Sequence, residues 1–135
     1  MKSDRVKVFA VPLCVERRNN WMIKIRREQI AGMNMHYKYR TLDYFFKTQQ
    51  ALGIKNIEFW CARPHFLLDD YGFEDAAELK KNAADYGLTI GAFSPECTIY
   101  NYALCCHDET ARKHSIGYFE NGIRAAAEAG AKVMV

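Results

Sequence analysis

Three times along this chain an amphipathic stretch closes on a glycine and a short apolar run follows at once. The joints are Leu52-Gly53-Ile54, Tyr86-Gly87-Leu88 and Ala129-Gly130-Ala131. A glycine one step past a helix takes the left-handed conformation at little cost and so ends it. The runs after each glycine are apolar on both faces, as in buried parallel strands. Repeated helix–glycine–strand joints predict βα units on a parallel sheet.

The periodicity places the elements. Residues 29–35 are expected as a first strand, with Gly32 permitting close approach. A helix is expected over 42–52, with Thr41 as its N-cap, Asp43 in its first turn, and Leu42, Phe45, Phe46, Gln49 and Leu52 inward. Residues 56–60 are the second strand. The second helix spans 73–86, with Phe73, Ala76, Ala77, Leu79, Lys80 and Ala83 along its inner stripe. The third strand covers 88–93. The third helix covers 109–129 with Asp108 as N-cap, and Ser115, Ile116, Phe119, Gly122, Ile123, Ala126 and Ala127 face the sheet. A fourth strand opens after Gly130, and the pattern stops before a covering helix, which suggests an incomplete protein. Residues 1–27 lack this grammar and read as an extension, partly disordered, with one candidate strand at 5–13. Residues 28–135 form the repeating domain.

Composition changes the picture in three places. Half the residues are hydrophobic, which supports a real core, and no apolar run reaches the ~20 residues of a membrane span. With no signal-like N-terminus the expected location is cytoplasmic. The five cysteines are odd in number and lack a C-x-x-C, so neither a disulfide framework nor a zinc finger is expected. Residues 1–40 hold ten Lys/Arg against three Asp/Glu, a net +7; residues 41–135 hold nine against thirteen, a net −4. The basic residues are interleaved with apolar ones and read as a solvated extension rather than a nucleic-acid arm.

The helix-to-strand links are short and the strand-to-helix links are long. In α/β proteins the chemistry sits at the carboxyl ends of the strands, in the long links. These hold Asn34-Met35-His36-Tyr37, Trp60-Cys61-Ala62-Arg63-Pro64-His65 and Ser94-Pro95-Glu96-Cys97-Thr98-Ile99-Tyr100. Aromatic walls with short polar groups suit a polyhydroxylated ligand. The candidate substrate-binding residues are His36, Glu58, Trp60, Arg63, His65, Glu96 and Tyr100. His65 is either a donor to substrate or a metal ligand, against the alternative of a loop histidine satisfied by backbone. His36 has the same placement, and both roles stay open for it. Glu96 either contacts sugar hydroxyls or caps free N–H groups. Glu58 alternates with Ile57 and Phe59, so it faces the interior with Trp60, as a structural bridge or a substrate contact. Cys61 and Cys97 read as small apolar pocket liners. Cys105-Cys106-His107 does not amount to a four-ligand metal site, nor does a helical pairing of His107 with His114. No catalytic residue is assigned. G-x-S-x-G, P-loop and G-x-G-x-x-G motifs are absent, which disfavours the usual nucleotide chemistry.

Leu52-Gly53-Ile54-Lys55-Asn56-Ile57-Glu58-Phe59-Trp60 with Arg63-Pro64-His65-Phe66, Ile90-Gly91-Ala92-Phe93-Ser94-Pro95-Glu96 with Tyr100-Asn101, and Arg112-Lys113-His114-Ser115-Ile116 leading to Gly130-Ala131 resemble the sugar phosphate isomerase/epimerase group. These are xylose-isomerase-like TIM barrels, with the ketose and fructoselysine epimerases most alike. The resemblance implies the N-terminal half of a (β/α)8 barrel: three βα units and a fourth strand. It implies a divalent metal, manganese or zinc, and proton transfer beside a carbonyl through an enediolate. The family's metal ligands come from later strands, so this chain is expected to bind no metal alone and to supply substrate-pocket loops. The implied ligand is a sugar or sugar phosphate. Two alternatives stand: a non-catalytic half-barrel that self-associates or pairs with a complementary half, and an abasic-site endonuclease-like protein, which the acidic balance of residues 41–135 disfavours.

Overall fold

The computed structural model describes residues 24–135. The candidate strand at 5–13 and most of the N-terminal extension lie outside the described residues. The elements are β1 (Ala31–Met33), α1 (Leu42–Ala51), β2 (Asn56–Cys61), α2 (Ala76–Asp85), β3 (Thr89–Pro95), α3 (Glu109–Ala129) and β4 (Val133–Met134), with 3-10 turns at Arg27–Gln29 and Asn34–Tyr37. All strand pairs are parallel and the order is β1-β2-β3-β4. A doubly wound sheet reverses its strand order at a switch point; a barrel adds each strand beside the last. The sequential order is that of a partial (β/α)8 barrel.

The three glycine stops are built alike. Gly53, Gly87 and Gly130 have φ of 68°, 71° and 75°. Each glycine N–H bonds back three residues, to Gln50, Ala84 and Ala127, and the next N–H bonds back five, to Gln49, Ala83 and Ala126. This is the Schellman arrangement, which satisfies the last helical carbonyls and launches the next strand. At the other ends, Thr41, Asp75 and Asp108 each accept a bond from the N–H three residues on. Asp75 is why α2 starts at Ala76 rather than at the expected residue 73; Phe73 instead bridges to Leu68.

β1 is shorter than the expected 29–35. Gln29 closes the first 3-10 turn and Asn34 opens the second. The Asn34 side chain then continues the ladder: its Oδ1 accepts from the Trp60 N–H at 2.7 Å and its Nδ2 donates to the Trp60 carbonyl at 2.9 Å. The backbone is free to turn away because a side-chain amide has replaced it.

The core lies between sheet and helices. Ile57, Phe59, Cys61, Ile90 and Phe93 point outward from the sheet to meet Phe45, Phe46, Leu79, Ala83 and Ala125. A bulge between Ile57/Glu58 and Ile90/Ala92 lets both Ile90 and Phe93 reach that layer. Phe59, Phe66 and Phe93 form an aromatic triangle with ring centroids 5.9–6.0 Å apart.

All three helices differ from the pattern: α1 ends at Ala51, and Leu52, expected inward, is its C-cap and is exposed. On α2, Ala77 and Lys80 are exposed. On α3 the buried residues are Ser115, Tyr118, Asn121, Gly122, Ala125, Ala126 and Ala129, while Ile123 is 58% exposed and Ala127 is exposed. The face is rotated toward polar residues because each has a partner: Tyr118 donates to the Glu96 carbonyl at 2.7 Å and Asn121 Nδ2 to the Asp69 carbonyl at 3.0 Å. A satisfied polar group is cheap to bury. Gly122 sits where an added Cβ would come within 3.1 Å of Pro95. Among the described residues no helix is long and apolar enough to cross a membrane.

Candidate active site at the carboxyl ends of the strands

The inward face of the sheet is layered by register. Met33, Glu58, Ala92 and Val133 align in one layer, and Trp60 pairs with Ser94 in the next. Glu58 therefore faces inward, as alternation predicts. The same rule places Cys61 on the opposite side, and the expectation that it lines the pocket fails. Its thiol is buried in the sheet–helix core, donates to the Phe59 carbonyl, and is pushed well up by burial. Cys97 is exposed.

Two cross-strand pairs define the inner face. The Trp60 indole N–H donates to Glu96 Oε2 at 2.6 Å, and the Ser94 hydroxyl donates to Glu58 Oε1 at 2.7 Å. Glu96 is only 5% exposed. Its Oε1 accepts from the Thr98 and Ile99 N–H groups. Burial raises the pKa of such a carboxyl, but the bonds from Ile99, Thr98 and Trp60 favour the ionised form and together hold it below the ordinary glutamate range.

His65 is engaged at both ring nitrogens: Nε2 bonds the Arg40 carbonyl at 2.9 Å and Nδ1 faces Asn34 Nδ2 at 3.1 Å. A carbonyl must receive a hydrogen bond and an amide NH₂ must give one, so Nε2 donates and Nδ1 accepts. His65 thus ties the link after β1 to the link after β2. Arg63 is exposed and ion-paired to Glu74 at 2.8 Å, while its N–H donates to the Tyr100 hydroxyl at 3.3 Å. His36 is exposed in the 3-10 turn, with no hydrogen bond to the other candidates among the described residues. Bonds therefore join Glu96 to Trp60, Trp60 through Asn34 to His65, and Arg63 to Tyr100; Glu58 lies one layer below, and His36 stands apart.

Sequence patterning did not single out Asn34, Ser94, Tyr118 or the Tyr102–Asp70–His114 group. Tyr118 is fully buried and stacks on Tyr102 at 3.9 Å. Tyr102 donates to Asp70 Oδ1 at 2.9 Å, and Asp70 Oδ2 meets His114 Nδ1. Burial raises the Asp70 pKa, but the bonds from His114 and Tyr102 prevail and lower it. Burial, then Asp70, pushes the Tyr102 hydroxyl up to about 12. His107 precedes the Asp108 cap, so α3 does not align it with His114. The one sequence signal was position, since Asn34 and Ser94 both stand at strand ends.

The donor set does not fit a metal. Both oxygens of Glu96 and both nitrogens of His65 are already bonded. Among the described residues no group of three or more His, Cys, Asp or Glu side chains is placed to hold an ion. What the arrangement offers is a polar wall with one carboxylate, Glu96, at the mouth of the sheet and another, Glu58, a layer below.

Comparison with known proteins agrees with that geometry. The chain is 29% identical over 90 residues to fructoselysine 3-epimerase of Shigella flexneri and 28% identical over 90 residues to that of Escherichia coli O157:H7. Each match covers 67% of this chain and 33% of the relative, so the matched region spans a third of the curated relatives' length. No solved structure matches the chain. A family model described as Xylose isomerase-like TIM barrel matches residues 46–135, from within α1 through β4. The chain belongs to the xylose isomerase-like TIM barrel family.

Proposed function

We propose that this chain supplies one wall of the substrate pocket of a sugar isomerase or epimerase. The observation that carries this reading is the inward face of β2 and β3. Barrel interiors are packed mostly with branched apolar side chains. Here Glu58 and Glu96 occupy that side, each held by a neighbour on the adjacent strand. Ionised groups inside a barrel need partners or a ligand. The names of the matched relatives, both fructoselysine 3-epimerases, point to a ketose-type substrate.

The reaction removes a proton from a carbon beside a carbonyl and returns it to the same or the neighbouring carbon. Family members often use a divalent metal, which stabilises the enediolate oxygen. No described residue group fits that ion. The role of these residues is positioning. Asn34 and His65 fix the two links, Trp60 fixes Glu96, and Glu58 has one carboxylate oxygen beyond its bond to Ser94 with which to take a sugar hydroxyl. Orientation of this kind is a large part of catalysis by bound-substrate enzymes.

The test is a chimera in which residues 46–135 replace the matched third of the E. coli O157:H7 relative. Incorporation of solvent deuterium beside the ketose carbonyl is the readout. Activity is expected in the chimera, with a loss of about tenfold or more on Glu58→Gln. A chimera that unfolds cooperatively yet shows no exchange on any ketose sinks the proposal. For a chimera that does not fold, the Trp60 indole resonance of the present chain in a Trp21→Phe background, titrated with ketoses, takes its place. No shift there counts against the proposal equally.

A further inference from the structure

A groove of about 720 Å³ lies between the link after β1 and the link after β2, and its lining includes Lys38, Tyr39, Arg40, Tyr44, Pro64 and His65. That volume suits one small ligand. The lining has two cations and no carboxylate. Lys38 Nζ lies 5.4 Å from the Tyr39 ring centre, and the Arg40 guanidinium carbon 5.4 Å from that of Tyr44. Tyrosine faces hold both heads without neutralising them. Neither cation has a carboxylate within ion-pair distance among the described residues, whereas Arg63 is paired to Glu74. Asp43, next along α1, turns away to Lys47 and Tyr86. The groove adjoins the candidate active site through His65, which lines it and is bonded through Asn34 to Trp60.

We propose that this groove binds the phosphate of a phosphorylated sugar, placing the sugar toward the Glu58–Glu96 wall. The sugar half of this statement rests on the function proposed above; the phosphate half stands on the groove alone. A phosphate monoester carries nearly two negative charges at neutral pH, which matches one guanidinium and one ammonium. Arginine presents a planar fork to two phosphate oxygens, and lysine adds a mobile point charge. Nucleic acid is the competing anion. The groove is sized for one ligand and presents two cations, whereas a duplex needs a row of them along its phosphates.

The experiment titrates the full chain, isotope-labelled and Trp21→Phe, with inorganic phosphate, fructose 6-phosphate, fructose and a short DNA duplex. Arg40 Nε and Lys38 resonances report the groove; the Trp60 indole reports the sugar wall. Phosphate and fructose 6-phosphate are expected to shift the groove signals, with fructose 6-phosphate bound at least about tenfold more tightly than fructose. Arg40→Gln with Lys38→Gln is expected to weaken both by about tenfold or more. The Arg40 carbonyl that holds His65 is backbone and survives this change. Lys113→Gln, an exposed lysine on α3, is the control and should change nothing. Binding of phosphate that is indifferent to the double variant overturns the proposal. So does equal affinity for fructose and its phosphate, or DNA binding that exceeds that of fructose 6-phosphate. Phosphate shifts that need Lys38 and Arg40, with a silent Trp60 indole, uphold the groove and count against the sugar reading alone.

Discussion

Asn34 shows how much one side chain settles. It pairs with both backbone groups of Trp60 and with His65, so three structural ties share one amide. Asn34→Ala leaves the Trp60 N–H and carbonyl without partners in a buried setting. A loss of about 2–4 kcal/mol is expected in denaturant unfolding, from two unmade bonds. Glu96 gives a pH prediction. Its folded pKa is depressed, so its stabilising effect is complete above the unfolded value and fades as pH falls through the lower folded value. Stability should therefore drop below about pH 4.5 in part through this group, and Glu96→Gln should flatten that limb while costing about 1–3 kcal/mol at neutral pH. An unchanged acid limb in the variant contradicts the assignment. At this scale the sequence was readable where a residue's type matched its position, as for Trp60 near the end of β2 and Glu96 just past β3. Asn34 was unreadable because its work depends on a strand 26 residues away.

Among the elements, the glycine stops were fully legible, since only φ needed to be inferred. Gly87 has nothing within 4 Å of an added Cβ, so Gly87→Ala isolates the left-handed strain. A loss of about 1–2 kcal/mol in thermal unfolding is expected; no loss would mean the turn relaxes into another conformation. The rotated face of α3 was not legible. Hydropathy favours Ile123 over Asn121 for burial, but Asn121 and Tyr118 have carbonyl partners on neighbouring links that no local pattern displays. Burial keeps the Tyr118 hydroxyl well above the ordinary tyrosine range, so it stays protonated and donates to the Glu96 carbonyl at neutral pH. Tyr118→Phe should cost about 1 kcal/mol and move the Trp60 indole resonance. A stability loss with that resonance unmoved would make Tyr118 a packing residue and nothing more.

For the whole molecule, the open side of the sheet decides behaviour. Among the described residues Val133 and Val135 are 56% and 71% exposed, and β1 and β4 are the outer strands of the sheet. Exposed apolar residues beside unpaired strand edges promote association. Residues 1–135 taken alone are expected to self-associate with rising concentration in sedimentation, less so with Val135→Lys; a monodisperse monomer of this segment across concentrations opposes it. The parallel βα sheet was legible from the joints; its place in a barrel was legible only through the resemblance of its motifs, because the sequential strand order that marks a barrel is set by long-range pairing.

The uniform stops have a further consequence, for how such a chain can change over time. Gly53, Gly87 and Gly130 fix the spacing and launch of β2, β3 and β4 at one rim, while the residues proposed to meet ligand stand at the other. Geometry and selectivity are therefore inherited separately. Replacing Lys38 or Arg40 retunes the groove without touching a single stop. New substrates can be explored one link at a time, with the scaffold left as it was.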